Sequence, residues 1–171
     1  MTGMDIFIEK LVKKQKTAQD VFFTIGIIVG TLILVFGIIP LIPFLRSFWL
    51  FFAVLFGYLA YYLIRSRNIE FEYALTNSEL DVDKIIDQKR RKHLLTVDCK
   101  NFEVMARVNS DKFTEDIKSI KNRIEAVSSM SSPDVYFAVF ENGGVKTLLF
   151  FEPNEKMLEA IGRYIPRRLF K

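Results

Sequence analysis

Residues 21–64 read VFFTIGIIVGTLILVFGIIPLIPFLRSFWLFFAVLFGYLAYYLI, and Arg46 is their only charged side chain. Such a block is too long and too apolar for the core helix of a soluble domain. A helix crossing the hydrocarbon of a bilayer needs roughly 20 apolar residues. Val21–Ile39 meets that length, and Ser47–Ile64 approaches it once Pro43, Phe44 and Leu45 are added. Pro40, Pro43 and Arg46 separate the two runs. Prolines stop a helix because they lack the amide hydrogen and clash with the preceding turn. The reading is a two-helix transmembrane hairpin over about 21–39 and 47–64. The first run is longer than the core of a signal peptide, and no small-residue cleavage site follows it.

Outside the block the chain is an ordinary soluble sequence. Its 171 residues carry 24 lysines and arginines against 20 aspartates and glutamates. Residues 1–64 hold 5 basic and 3 acidic side chains, and residues 65–171 hold 19 and 17. A soluble part so nearly balanced argues against nucleic acid as a partner. Lys10, Lys13, Lys14 and Lys16 precede the first run, Arg65 and Arg67 follow the second, and only Arg46 lies between. Basic flanks stay on the cytoplasmic side. That rule predicts a plasma-membrane protein with both termini and the C-terminal domain in the cytoplasm. Trp49, Tyr58, Tyr61 and Tyr62 suit the interfacial aromatic belt. The single cysteine, Cys99, excludes an internal disulfide framework.

Residues 1–20 form a segment of their own. Met4, Phe7, Ile8, Leu11 and Val12 recur at helical spacing, with Asp5, Glu9, Lys10, Lys13 and Lys14 on the other side. An amphipathic helix in the cytoplasmic headgroup layer is expected. Within the hairpin, Gly26 with Gly30 and Ala53 with Gly57 have the small-x-x-x-small spacing that lets helices pack closely in lipid. Packing of one span on the other is the reading preferred over a dimer seam. Neither span contains an acidic, basic or amide side chain, which speaks against an ion path.

From Ile69 the period changes to two. Ile69, Phe71, Tyr73 and Leu75 alternate with Glu70, Glu72 and Ala74, and Leu80 and Val82 alternate with Asp81 and Asp83. Asn77-Ser78 and Asp87-Gln88 are turns, and Lys89–Val97 and Asn101–Val108 complete a four-strand meander. Ser110 then caps a helix over 111–128, with Phe113, Ile117, Ile120, Ile124 and Val127 as its apolar stripe. Residues 128–133 are a loop. Val135–Phe140 and Val145–Phe151 form a hairpin around Glu141-Asn142-Gly143-Gly144, where Asn-Gly supplies positive backbone angles. Asn154 caps a last helix to Ile165. The order is ββββαββα, in a soluble domain covering 68–171.

Tyr73-Ala74-Leu75-Thr76-Asn77, Leu80-Asp81-Val82 and Leu94-Leu95-Thr96-Val97 resemble the opening strands of bacterial pleckstrin-homology-like (PH-like) domains. Phe150-Phe151-Glu152-Pro153-Asn154 and the amphipathic helix after it resemble their close. The whole chain is similar to a family of small bacterial membrane proteins with two spans and such a domain. The resemblance implies a binding module. Six strands are read where that fold has seven, and a long helix interrupts them. An ordinary α+β sheet with two helices on one face is the alternative.

The sequence offers little for chemistry. His93 has no base or orienting partner identifiable along the chain, and Cys99 has no activating base. One histidine and one cysteine cannot build a structural zinc site. Asp81, Asp83 and Asp87 lack the glycine and terminal glutamate of a calcium loop. No phosphate-cradling loop is present. No catalytic residue, metal or cofactor is expected, so the chain is not read as an enzyme. The charged feature that stands out is Lys89-Arg90-Arg91-Lys92, with Lys100 and Arg107 further on. These four are candidates for contact with anionic lipid headgroups. The alternative for them is a solvated edge strand guarded by charge. The expected function is a non-enzymatic module anchored in the bilayer, binding a protein partner or anionic headgroups. A subunit of an oligomeric transport or envelope-associated complex is the rival.

Overall fold

A computed structural model describes residues 6–170, which divide into two compact units. One contains residues 6–14 and 69–170, the other residues 15–68.

The larger unit has two sheets. The first is antiparallel, in the order β1 (Phe7–Lys13), β2 (Ile69–Thr76), β3 (Glu79–Ile86) and β4 (Arg90–Asp98). The second contains β5 (Val104–Arg107), β6 (Asn122–Ala126), β7 (Tyr136–Asn142), β8 (Val145–Phe151) and β9 (Leu169–Phe170), in the order β6-β8-β7-β5-β9. The C-terminal helix is Glu155–Tyr164, and the Asn154 side chain accepts the amide hydrogen of Met157 at its N-terminus.

One core joins all three parts. Phe71, Tyr73, Leu75, Leu80 and Val82 of the first sheet meet Tyr136, Ala138, Phe140, Leu149 and Phe151 of the second, with Met157, Leu158 and Ile161 of the helix. The alternation of β2 and β3 follows from this, since one of their faces is buried and the other solvated. β7 and β8 read differently because they are covered on both sides. Phe137, Val139, Leu148 and Phe150 point to a second cluster, closed over by Phe113, Ile117 and Ile120. Phe113 packs its ring 4.9 Å from that of Phe137. Strands buried on both faces lose the polar half of the alternation.

Residues 7–13 are not an interfacial helix but the edge strand β1, paired antiparallel to β2 from Phe7↔Thr76 to Lys13↔Glu70. Ile6, Ile8 and Val12 pack on the core while Phe7 and Leu11 face out. Apolar residues at 7, 8, 11 and 12 satisfy both periods, so spacing alone could not choose between them. Met4 and Asp5 lie outside the described residues. The domain therefore begins before the apolar block, not at residue 68.

The helix expected over 111–128 is one turn, Glu115–Lys118, followed by strand β6. β6 runs parallel to β8 from Asn122↔Thr147 to Ala126↔Phe151 and covers an edge that would otherwise be open. The apolar stripe was informative about burial but not about conformation. Phe113, Ile117, Ile120 and Val127 do meet in one cluster, and Ile124 turns to the other. The fourth strand of the expected meander belongs to the second sheet, as β5 beside β7. The β7–β8 hairpin is present as expected, with the positive angles on Gly143 (φ +58°) and Gly144 (φ +81°).

The smaller unit is a helical hairpin. Ala18–Leu41 is one continuous helix of 24 residues, the only one among the described residues long and apolar enough to cross a membrane by length and composition. A turn at Pro43–Arg46 leads to a second apolar helix, Trp49–Arg65, of 17 residues. At the open end Arg67 pairs with Asp20, whose helix is capped reciprocally by Thr17. At the closed end the indole of Trp49 donates to the carbonyl of Val35, at 2.8 Å. That carbonyl lies in a π-helical stretch, Ile33–Ile38, where each carbonyl looks five residues ahead for its donor. For Val35 the residue five ahead is Pro40, which has no amide hydrogen. Trp49 supplies the missing donor.

Candidate functional site

The chain leaves the first sheet after Lys14 and re-enters it at Ile69. The Lys14 amide donates to the Ile69 carbonyl at 2.9 Å, so the two points are adjacent rungs of one ladder. The register places the β3–β4 turn at the same end of the sheet, because Ile69 is opposite Ile86 and Ile86 is opposite Arg90. Asp87 (φ +52°) and Gln88 (φ +55°) make that turn. Lys13, Lys14, Lys89, Arg90, Arg91 and Lys92 are thereby gathered at one end. Lys13 and Lys14 belong to this cluster only because residues 7–13 form a strand.

The basic run itself divides between two faces. Arg91 lies beside carboxylates: it pairs with Glu72 of β2 and, at 3.5 Å, with Asp83 of β3. His93 shares that face, with Nδ1 2.8 Å from Asp83. Histidine thus has an acidic neighbour that spacing along the chain could not reveal. Asp81 accepts from Thr96 on the same face. Arg90 and Lys92 take the alternate positions, with Lys92 opposite Lys84. Lys89 is exposed in the turn, 3.9 Å from Asp87. All four residues singled out by sequence are exposed, and Arg91 among them is committed to the carboxylate network on the sheet.

Lys100 and Arg107 do not join this group. Lys100 follows β4 at the opposite end of the sheet, where Asp98 pairs with Glu79. Arg107 is on β5, with Nε donating to the Tyr136 hydroxyl at 2.9 Å. That bond holds the guanidinium pKa above its ordinary value.

The glycines of the hairpin are also placed differently from expectation. A β-carbon added at Gly26, Gly30 or Gly57 would have no neighbour within 4 Å. They are not the seam between the two helices. The less exposed sides of the two helices carry Thr24, Ile27, Thr31, Leu34, Val35 and Ile39 on the first and Trp49, Phe52, Ala53, Phe56, Ala60 and Ile64 on the second. Ala53 alone of the four small residues lies on that side. Bulkier side chains filling the interface leave the glycines outside it.

Buried groups outside the basic end are structural. Tyr73 donates its hydroxyl hydrogen to the Ala126 carbonyl and accepts the Glu152 amide at 3.3 Å. Glu152 accepts from the amide and hydroxyl of Ser128, at 3.1 and 2.7 Å. The two Tyr73 bonds join the first sheet to the second, through a group that sequence reasoning passed over. A tyrosine in an alternating strand gives no sign that its hydroxyl is buried. Burial raises its pKa well above the ordinary range. The Cys99 thiol is likewise buried and pushed up to about 12 by desolvation, aided by the nearby Asp98 charge. A thiol in that state is protonated at neutral pH and is a poor nucleophile.

A family model described as a bacterial PH-like domain (DUF6106) matches residues 4–171. No curated protein and no solved structure matches the chain. The family match starts before the apolar block and runs through it, as the strand order requires.

Proposed function

Since this chain belongs to the bacterial PH-like domain family, we propose that it is a non-enzymatic binding module whose fold is interrupted, between its first two strands, by a membrane hairpin. The observation that carries this reading is the Lys14–Ile69 rung. Residues 15–68 leave and return at one point of one sheet. A segment so tied can cross a bilayer only an even number of times, because both its ends belong to the same folded body. The first helix, at 24 residues, is about 36 Å long at 1.5 Å per residue, enough for a hydrocarbon core of about 30 Å. The second, at 17 residues, stands at the lower end of the spanning range. Two crossings follow, with Pro40–Arg46 on the far side.

The positive-inside rule gives the direction. Lysines 10, 13, 14 and 16 and arginines 65 and 67 flank the hairpin, against Arg46 in the connector. The PH-like domain is therefore cytoplasmic, at the inner face of the plasma membrane. The end of its first sheet at which the chain enters the hairpin carries Lys13, Lys14, Lys89 and Lys92. A basic residue near an anionic leaflet contributes about 1 kcal/mol. That is weak for a free domain, but a tether raises the local concentration of the surface. Anionic headgroups are the ligand this end suits. Arg91, held by Glu72 and Asp83, contributes least.

The test is binding of the water-soluble domain to vesicles, with the hairpin replaced by a short turn between Lys14 and Ile69. Binding should rise with anionic lipid and fall with salt. Lys89→Glu with Lys92→Glu should abolish it, and Arg91→Gln should leave most of it. Equal binding by the charge-reversed domain would refute the lipid reading and leave a protein partner as the role of this end.

A further inference from the structure

At the other end of the first sheet the chain forms a second, unrelated cationic site. After β4 a single 3-10 turn, Cys99–Asn101, is fixed by the Cys99 amide donating to the Ser78 carbonyl at 2.7 Å. The end of the C-terminal helix lies beside this turn. Lys100, Tyr164, Ile165, Pro166, Arg167 and Arg168 line a cleft of about 330 Å³. Three of the six are cations, and no carboxylate of the described residues lines it.

Two of the cations are held in place. Arg168 Nη1 donates to the carbonyls of Lys100 and Phe102, both at 3.1 Å. The Lys100 ammonium sits 5.4 Å from the centre of the Tyr164 ring. Among the described residues none of Lys100, Arg167 and Arg168 makes an ion pair, although the domain as a whole has nearly as many acids as bases. Asp98, the nearest acid along the chain, accepts the Lys100 amide at 2.9 Å. Cations that line one cleft without a carboxylate partner repel each other, and an anion seated there relieves the repulsion. Guanidinium groups match the oxygens of phosphate in pairs. Three positive charges suit a dianion better than a single carboxylate.

We propose that this cleft binds the phosphate group of a soluble phosphate ester. That the ligand is soluble and not a headgroup of the host membrane rests on the reading proposed above, in which the end of the first sheet joined to the hairpin meets the lipid, and Lys100 follows β4 at the opposite end of that sheet. The cleft itself does not depend on that reading.

Equilibrium dialysis of radiolabelled inorganic phosphate against the full chain in uncharged detergent micelles tests the site. One saturable site is expected. Lys100→Gln combined with Arg167→Gln should weaken it at least about tenfold. Both changes spare the Arg168 bonds to the backbone, so the melting temperature should stay the same. Lys89→Glu with Lys92→Glu should leave phosphate uptake intact, which separates this site from the lipid-facing end. Added anionic lipid should not displace the phosphate. Absence of saturable uptake, equal uptake by the Lys100/Arg167 variant, or displacement by anionic lipid would overturn the assignment.

Discussion

Two side chains carry more of this structure than their residue types announce. Trp49 would be read as an interfacial anchor, yet its indole supplies the hydrogen bond that Pro40 cannot. In the bilayer-spanning hairpin proposed above, lipid offers no donor for an orphaned carbonyl. Trp49→Phe should therefore destabilise the hairpin by about 1–3 kcal/mol, the cost of leaving a buried acceptor unsatisfied. Pro40→Ala restores a backbone donor, so the cost of Trp49→Phe should be smaller in that background. A double-mutant cycle of unfolding in mixed micelles measures this coupling, and additive costs would refute the pairing of Trp49 with Pro40. Tyr73 does a comparable task between the sheets. Tyr73→Phe keeps the ring against Phe151 but strands the Ala126 carbonyl and the Glu152 amide. A loss of about 1–3 kcal/mol is expected, read as a lower midpoint of thermal unfolding. An unchanged midpoint would mean that the two groups find other partners.

Among the elements, β1 decides how the domain can be handled. A fragment starting at residue 68 lacks it, leaving the edge of β2 open and Phe71 and Leu75 without their cross-strand neighbours Val12 and Ile8. Such a fragment should aggregate or melt without a cooperative transition. Residues 6–14 joined by a two- to five-residue turn to 69–171 should fold, because Lys14 and Ile69 already share a hydrogen bond. Circular dichroism during heating distinguishes the two proteins. A cooperative melt of the 68–171 fragment, equal to that of the spliced protein, would show β1 to be dispensable.

For the whole molecule the interruption of one sheet by a helical hairpin constrains orientation. A single crossing would put β1 and β2 on opposite sides of the bilayer and break their pairing. The proposed topology requires a reporter that is active only outside the membrane to be active when fused near Pro43 and silent after Lys171. Signal from the Lys171 fusion, or silence at Pro43, would rule it out. The same connectivity gives the domain two attachments to the hairpin, in place of the single flexible linker that a domain beginning at residue 68 would have.

The sequence by itself determined the apolar block, its division near Pro43 (the first helix runs through Pro40 to Leu41), six of the nine strands among the described residues, the last helix with its Asn154 cap, and the PH-like family. These are local properties: run length, a period of two, and turn residues with their own angle preferences. Only the tertiary structure decided the rest. Residues 7–13 and 122–126 became strands because open edges of β2 and β8 were waiting for them, and edge pairing is set by residues far away in the chain. Short apolar patterns satisfy either period until such a partner fixes one. Of the candidate sites only the run 89–92 was legible; the rest was not, for the same reason. Lys13 and Lys14 meet Lys89 and Lys92, and Lys100 meets Arg167 and Arg168, across separations that only sheet register and helix docking bring together.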